Sequence, residues 1–250
     1  HLEGFGSYDG AIQAKTELYR YIYAKNATVF VNDDDSLLLY ESEKLNKVFY
    51  GRKVFNVNVE SGKMFLTFSW KQNNVDYEIN SNLTGSYNLP NFMAALAVGL
   101  YFGADAGELS KALSSYTPKN KRSQIEKTER NTLVIDAYNA NPSSMALALE
   151  NFASLNAENK IVILGDMLEL GVDSPQEHEN ILKKALSYHF DRYIFIGKEF
   201  GRFTNLSSEA QFFPHVDDAS AFLSQENISD ALILIKGSRG IRCEKVIPVL

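Results

Sequence analysis

The sequence has one cysteine, Cys243, so no disulfide can form within it, and the chain suits a reducing compartment. No apolar run approaches the ~18 residues a membrane helix needs, and nothing at the start resembles a signal peptide. Positive charge is in short supply. The 25 lysines and arginines face 31 acids, and the net charge of −6 argues against a broad nucleic-acid surface. Also missing are a His/Cys ligand cluster for zinc, a Gly-x-Ser-x-Gly elbow and a dinucleotide fingerprint. There is no Gly-x-x-x-x-Gly-Lys-Ser/Thr phosphate loop either. Gly62-Lys63 and Gly197-Lys198 lack the upstream glycine and the following hydroxyl residue.

What is present is ordinary globular material. Hydrophobic residues make up 45% and charged residues 22%, enough for real cores, and 250 residues suit two domains better than one. The chain begins at His1 rather than Met, which reads as a piece of a longer polypeptide.

Periodicity predicts a helix from Tyr8 to Asn26, a strand at residues 28–31 and a helix from Ser36 to Leu45 with the acidic run 33–35 at its start. The texture then becomes β-rich. Residues 54–59, 64–70 and 75–79, with turn signals at Ser61-Gly62 and Asn73-Asn74, read as an antiparallel meander. Helices follow at 88–102 and 106–116. Thr117-Pro-Lys-Asn-Lys-Arg122 is polar and basic and carries a proline, so it reads as a linker between domains 1–116 and 117–250.

Beyond it, strands at 124–127, 132–136, 161–164, 193–196 and 232–235 alternate with helices near 143–155, 175–188, 217–226 and 240–249. This alternation predicts an α/β fold of Rossmann-like type, a parallel sheet covered by helices.

Three of those strands end in polar loops, all expected on one edge of the sheet, where ligands sit in such folds. In the first, Asp136, Tyr138, Asn139 and Asn141 precede a Pro-Ser-Ser helix start. A helix N-terminus accepts anions, although Asp and Asn also favour plain turns. The second, Leu164–Gly171, places Asp166 and Glu169 after a buried strand. The third carries Lys236, Ser238 and Arg239. Amides, acids and two cations on one edge suit a polar, partly anionic ligand. Arg122 is a phosphate-type fork at the linker, with a solvated arginine as the plain alternative. Asn88 and Asn91 open a helix. Capping explains Asn88, whereas Asn91 lies one turn inside. Cys243 has no evident base nearby and reads as structural.

Taken in order, these segments resemble the Mur ligase family of peptidoglycan synthesis, in its MurF type. The matching segments are His1-Leu-Glu-Gly-Phe-Gly-Ser7, Ala14-Lys-Thr-Glu-Leu18, Asn88-x-x-Asn91 with Ala94-Ala95, Arg122, Asp136-Ala-Tyr-Asn-Ala-Asn-Pro142, Leu164-Gly-Asp-Met-Leu-Glu-Leu-Gly171 and Lys236-Gly-Ser-Arg239. They span the chain from end to end. The Tyr-Asn-Ala-Asn-Pro and Gly-Asp-Met-x-Glu-Leu-Gly segments are the specific ones.

The resemblance implies an ATP-dependent ligase that joins D-Ala-D-Ala to UDP-MurNAc-tripeptide through an acyl phosphate. It would be a cytoplasmic monomer with no nucleic acid and no membrane insertion. Residues 1–116 would be the C-terminal part of the central ATPase domain, helices plus the meander, and residues 117–250 the Rossmann-like C-terminal domain. His1 and Lys15 would hold Mg²⁺, Lys15 as a carbamate, whose oxygens suit that hard cation. Asn91, with Asn88, would face adenine, while Arg122 would reach phosphate and Asp136 ribose. Tyr138, Asn139 and Asn141 would lie near the dipeptide or acyl phosphate, and Lys236, Ser238 and Arg239 at a substrate carboxylate.

Two departures stand out. Tyr87 replaces the histidine that often precedes the first asparagine, and the family's phosphate loop, Mg²⁺-binding glutamate and sugar-gripping domain would all lie upstream of His1. Residues 1–250 alone are therefore expected not to turn over ATP. The rival expectations are another Mur ligase, a folylpolyglutamate synthetase-like ligase, or a non-catalytic module that binds nucleotide or peptide.

Overall fold

The computed structural model describes residues 2–118 and 122–250. The chain divides into two compact units, one of residues 1–82 with 86–116 and one of residues 83–85 with 117–250.

The first unit opens with the short helix α1 (Leu2–Phe5) and then α2 (Tyr8–Ala24), whose N-cap Ser7 accepts from Gly10 N. Strand β1 (Thr28–Asn32) leads to α3 (Ser36–Glu41), capped by the Asp35 carboxylate through Leu37 N and Leu38 N. This helix is shorter than the periodicity suggests. Lys47 Nζ binds the carbonyls of Ser42 and Glu43 just past its end, and the chain turns into β2 (Asn46–Tyr50), a strand the sequence pattern did not reveal. β2 runs parallel to β1.

The meander is present as β3 (Asn58–Val59), β4 (Thr67–Gln72) and β5 (Val75–Asn80), antiparallel and in that order. Its first strand is only two residues long, because residues 51–57 are spent on a turn closed by Phe55 N to Gly51 O and Val57 N to Arg52 O. Asn73 and Asn74 both have positive φ, as a two-residue hairpin turn requires. The helices α4 (Leu89–Tyr101) and α5 (Ala106–Ser115) complete the unit. Phe68, Trp70, Ile79, Leu89, Met93 and Leu96 form its core, and the Trp70 indole donates to Ser110 Oγ at 3.1 Å.

The second unit runs β6 (Gln124–Lys127), β7 (Thr132–Asp136), α6 (Pro142–Ser154), β8 (Lys160–Gly165), α7 (Ser174–Leu186), β9 (Arg192–Ile196), β10 (Ala210–Phe213), α8 (Val216–Leu223) and β11 (Leu232–Lys236). Its six-stranded sheet has the order β10-β9-β8-β11-β7-β6. Every pairing is parallel except β6 with β7, which is antiparallel and so departs from the all-parallel expectation. β10 also escapes the sequence pattern, since its four residues are only partly buried at a sheet edge. The central strands are near-continuous Ile, Leu and Val, as a sheet covered on both faces demands. Each fully buried aliphatic side chain contributes about 1.5–3 kcal/mol as an upper estimate.

The final expected helix, 240–249, is not an α-helix. It is a pair of 3₁₀ segments, Arg239–Ile241 and Cys243–Val249. Arg242 takes a left-handed conformation between them (φ 59°) and Pro248 removes a donor. The break drops the Cys243 side chain onto the sheet edge. A Cβ on Gly237 would lie 2.7 Å from its Sγ, and one on Gly165 would collide with it.

Candidate functional site

The parallel register places Lys236 beside Asp136 on one side and beside Leu164 on the other. The loops after β7, β8 and β11 therefore leave one edge of the sheet side by side, as expected.

Lys236 is buried, yet its Nζ lies 2.6 Å from Asp136 Oδ2 and 3.1 Å from the Asn139 carbonyl. The other carboxylate oxygen, Oδ1, accepts from Ser123 N at 3.3 Å. Ser123, the residue after Arg122, has a positive φ of 47°. The Arg122 guanidinium stacks 3.7 Å from the centroid of the Tyr138 ring, and Arg239 lies 5.3 Å from the same centroid. Among the described residues, neither guanidinium has a carboxylate partner.

Ser238 stitches the three loops together. Its hydroxyl accepts from Leu168 N and donates to the Ala140 carbonyl, and its own N–H donates to Asp166 O. Lys236 and Ser238, expected at a substrate carboxylate, are both buried and hydrogen-bonded within the protein. Arg239 is exposed and keeps its fork available.

Asn141 lies at the start of α6 and forms a capping box with Ser144, its Oδ1 accepting from Ser144 N at 2.8 Å. Its carbonyl oxygen is therefore occupied by structure. Asn139 Oδ1 likewise accepts from Ala140 N.

The Asp166 loop is an internal buttress. The Asp166 carboxylate accepts from Glu199 N and Phe200 N, and a Cβ on Gly197 (φ 129°) would collide with it. Burial pushes this carboxyl above the ordinary carboxylate range, while the Phe200 and Glu199 N–H groups pull against the rise. His178 is fully buried beside it. Met167 N donates to His178 Nε2 at 2.9 Å, so Nδ1 carries the hydrogen and donates to the Ser174 carbonyl at 2.7 Å. That tautomer is neutral, and the 3.7 Å approach of His178 to Asp166 is not an ion pair. The role of His178 was not read from the sequence; a histidine at helical spacing inside α7 carries no such signal.

In the first unit, Lys15 is exposed on α2. Asn88 is the residue before α4 but makes no side-chain cap bond. It accepts from Asn91 Nδ2 at 3.4 Å, and Asn91 is exposed. Capping therefore does not account for the Asn88 side chain. His1 lies outside the described residues. Among the described residues no three of His, Cys, Asp and Glu gather as metal ligands. Nor, among them, is any helix long and apolar enough to cross a membrane.

Residues 1–99 match the model of the Mur ligase middle domain, and residues 121–239 that of the Mur ligase, glutamate ligase domain. The chain is 27% identical over 270 residues to the UDP-N-acetylmuramoyl-tripeptide--D-alanyl-D-alanine ligase of Escherichia coli (strain K12), covering 100% of this chain and 57% of that protein. Its identity to the enzyme of the same name in Bacillus subtilis (strain 168) is 29%, over 99% of this chain and 56% of the relative. The chain thus spans a little over half the length of these relatives. In fold it matches a crystal structure of MurF from Acinetobacter baumannii with a TM-score of 0.84 at 24% identity, covering 99% of this chain and 56% of that one. MurF ligase from Thermotoga maritima in complex with ADP matches with 0.82 at 21% identity, covering 100% and 58%.

Proposed function

Because the chain belongs to the Mur ligase family, we propose that it serves an ATP-dependent amide ligase joining D-Ala-D-Ala to UDP-MurNAc-tripeptide. In this reading residues 1–116 are the C-terminal part of the central ATP-binding domain and residues 117–250 are the C-terminal domain. The enzyme acts as a monomer in the cytoplasm.

ATP phosphorylates the terminal carboxylate of the tripeptide to give an acyl phosphate and ADP. The dipeptide amine then attacks the acyl carbon, and phosphate leaves from the tetrahedral intermediate. Such chemistry rests on positioning and on neutralising phosphate charge.

The observation that supports the reading best is the edge formed by Asp136, Arg122, Tyr138 and Arg239. It presents one carboxylate held in place and two guanidiniums that, among the described residues, have no acidic partner. We assign Arg122 to phosphate and Asp136 to ribose, the latter oriented by Lys236. Asn88 and Asn91 are assigned to adenine, and their mutual hydrogen bond fixes the pair. Tyr138, Asn139 and the amide nitrogen of Asn141 are assigned to the dipeptide side. Mg²⁺ enters the reading through His1 and a carbamate on Lys15.

Phosphate release by the intact ligase, measured with each amino substrate in turn, tests the reading. Consumption of glutamate, lysine or diaminopimelate in place of D-Ala-D-Ala would assign the chain to a sister ligase.

A further inference from the structure

We propose that Tyr138 is a positioning residue whose ring, rather than its hydroxyl, spaces two guanidiniums into a clamp for two different anions. The inference rests on the ligase reading above and adds a mechanism of substrate selection to it.

Of the cations on this edge, Lys236 is consumed by Asp136. The remaining two, Arg122 and Arg239, come from loops more than a hundred residues apart and meet at one aromatic ring, 3.7 and 5.3 Å from its centroid. Two like charges sharing one ring repel each other, and among the described residues neither forms an ion pair with an acid. The ring's negative face lowers the cost of this approach, and bound anions remove the rest.

Both arginines are anchored through the backbone beside them. Ser123 N on Asp136 sets the Arg122 backbone, and the Ser238 bonds to Leu168 and Ala140 set that of Arg239. Only the side chains are left to be oriented, and Tyr138 is the surface on which both lie.

The proposed reaction supplies two kinds of anion. The phosphoryl group is assigned to Arg122. The incoming dipeptide carries a single carboxylate, at its terminus, which a guanidinium fork matches. Arg239 is the available cation for it. Tyr138 thereby ties recognition of the amine substrate's far end to the position of the phosphate-binding arginine.

The test uses the intact ligase in a coupled ADP assay, with D-Ala-D-Ala compared against its C-terminal carboxamide. A charge-assisted contact predicts that wild type prefers the acid by about 10- to 100-fold in kcat/KM. Tyr138→Phe, which keeps the ring, should hold that preference within about twofold, whereas Tyr138→Leu and Arg239→Gln should each shrink it below about threefold. In both weakened variants the KM for the dipeptide should rise more than kcat falls. Arg239 is exposed, so Arg239→Gln keeps the test open if Tyr138→Leu folds poorly. Wild-type preference retained in Arg239→Gln or in folded Tyr138→Leu would overturn the clamp. Equal loss in Tyr138→Phe and Tyr138→Leu would overturn the role of the ring. A wild type that uses some other amine and not D-Ala-D-Ala overturns the ligase reading itself, a result visible before any variant is made.

Discussion

Lys236 and Asp136 face each other across the β11–β7 register, with Nζ and Oδ2 2.6 Å apart and side chains only 2% and 13% exposed. A buried pair of this kind adds little net stability relative to an apolar pair, but removing one partner strands the other charge. It also points Asp136 along the sheet edge and ties down the Asn139 carbonyl.

Lys236→Met should therefore cost about 3–5 kcal/mol of unfolding free energy, because the Asp136 carboxylate loses its counter-charge. The double variant Lys236→Met/Asp136→Asn should recover part of that loss. Urea denaturation of the two single variants and the double variant gives the coupling. Strict additivity would show that the pair is not an energetic unit.

Asn141→Ala should cost about 0.5–2 kcal/mol through loss of the capping box. Asn141→Asp keeps the oxygen that accepts from Ser144 N and should hold stability near wild type. If the amide nitrogen meets substrate, Asn141→Asp alone should lower kcat/KM while leaving the melting temperature in place. Equal activity in Asn141→Asp and wild type would leave Asn141 a cap and nothing more.

Asp166 gives a pH dependence of defined sign. Its carboxyl is raised in the folded state by burial. The folded protein thus binds the proton more tightly than the unfolded chain, and this contribution to stability is lost as pH rises from the ordinary carboxylate range through the raised value. The stability of wild type relative to Asp166→Asn should fall over that window. A difference that stays flat, or grows with pH, would contradict the direction of the shift.

Cys243 should be inert in the folded protein. It is fully buried against Gly165 and Gly237, and burial pushes its thiol up to about 12. An aromatic disulfide reagent should titrate no thiol under native conditions and one per chain in guanidinium. Rapid native labelling would show that the 243–249 segment opens.

Much of the second unit was legible in the sequence because its central strands are apolar runs that stop at polar residues such as Asp136 and Lys236. The pairing of those strands was not. β11 inserts between β7 and β8, and the Lys236–Asp136 contact joins residues a hundred positions apart, a relation no local pattern carries. For that reason the internal hydrogen bonds of Lys236 and Ser238 were not legible in the sequence. β6 was legible with its bounds but not its antiparallel direction, and β10 was missed because it is a short, half-exposed edge strand. In the first unit the hairpin turn at Asn73-Asn74 was legible, since only a few residue types accept positive φ there. The Asn88–Asn91 bond was not, because its helix start looks like any capped one.

The central claim is tested most directly by phosphate release from the intact ligase with ATP, UDP-MurNAc-tripeptide and a panel of amino substrates. The account predicts release that depends on both the tripeptide and D-Ala-D-Ala, with residues 1–250 alone giving none for want of a phosphate loop in their sequence. Release driven by a different amine, or turnover of ATP by residues 1–250 alone, would contradict it.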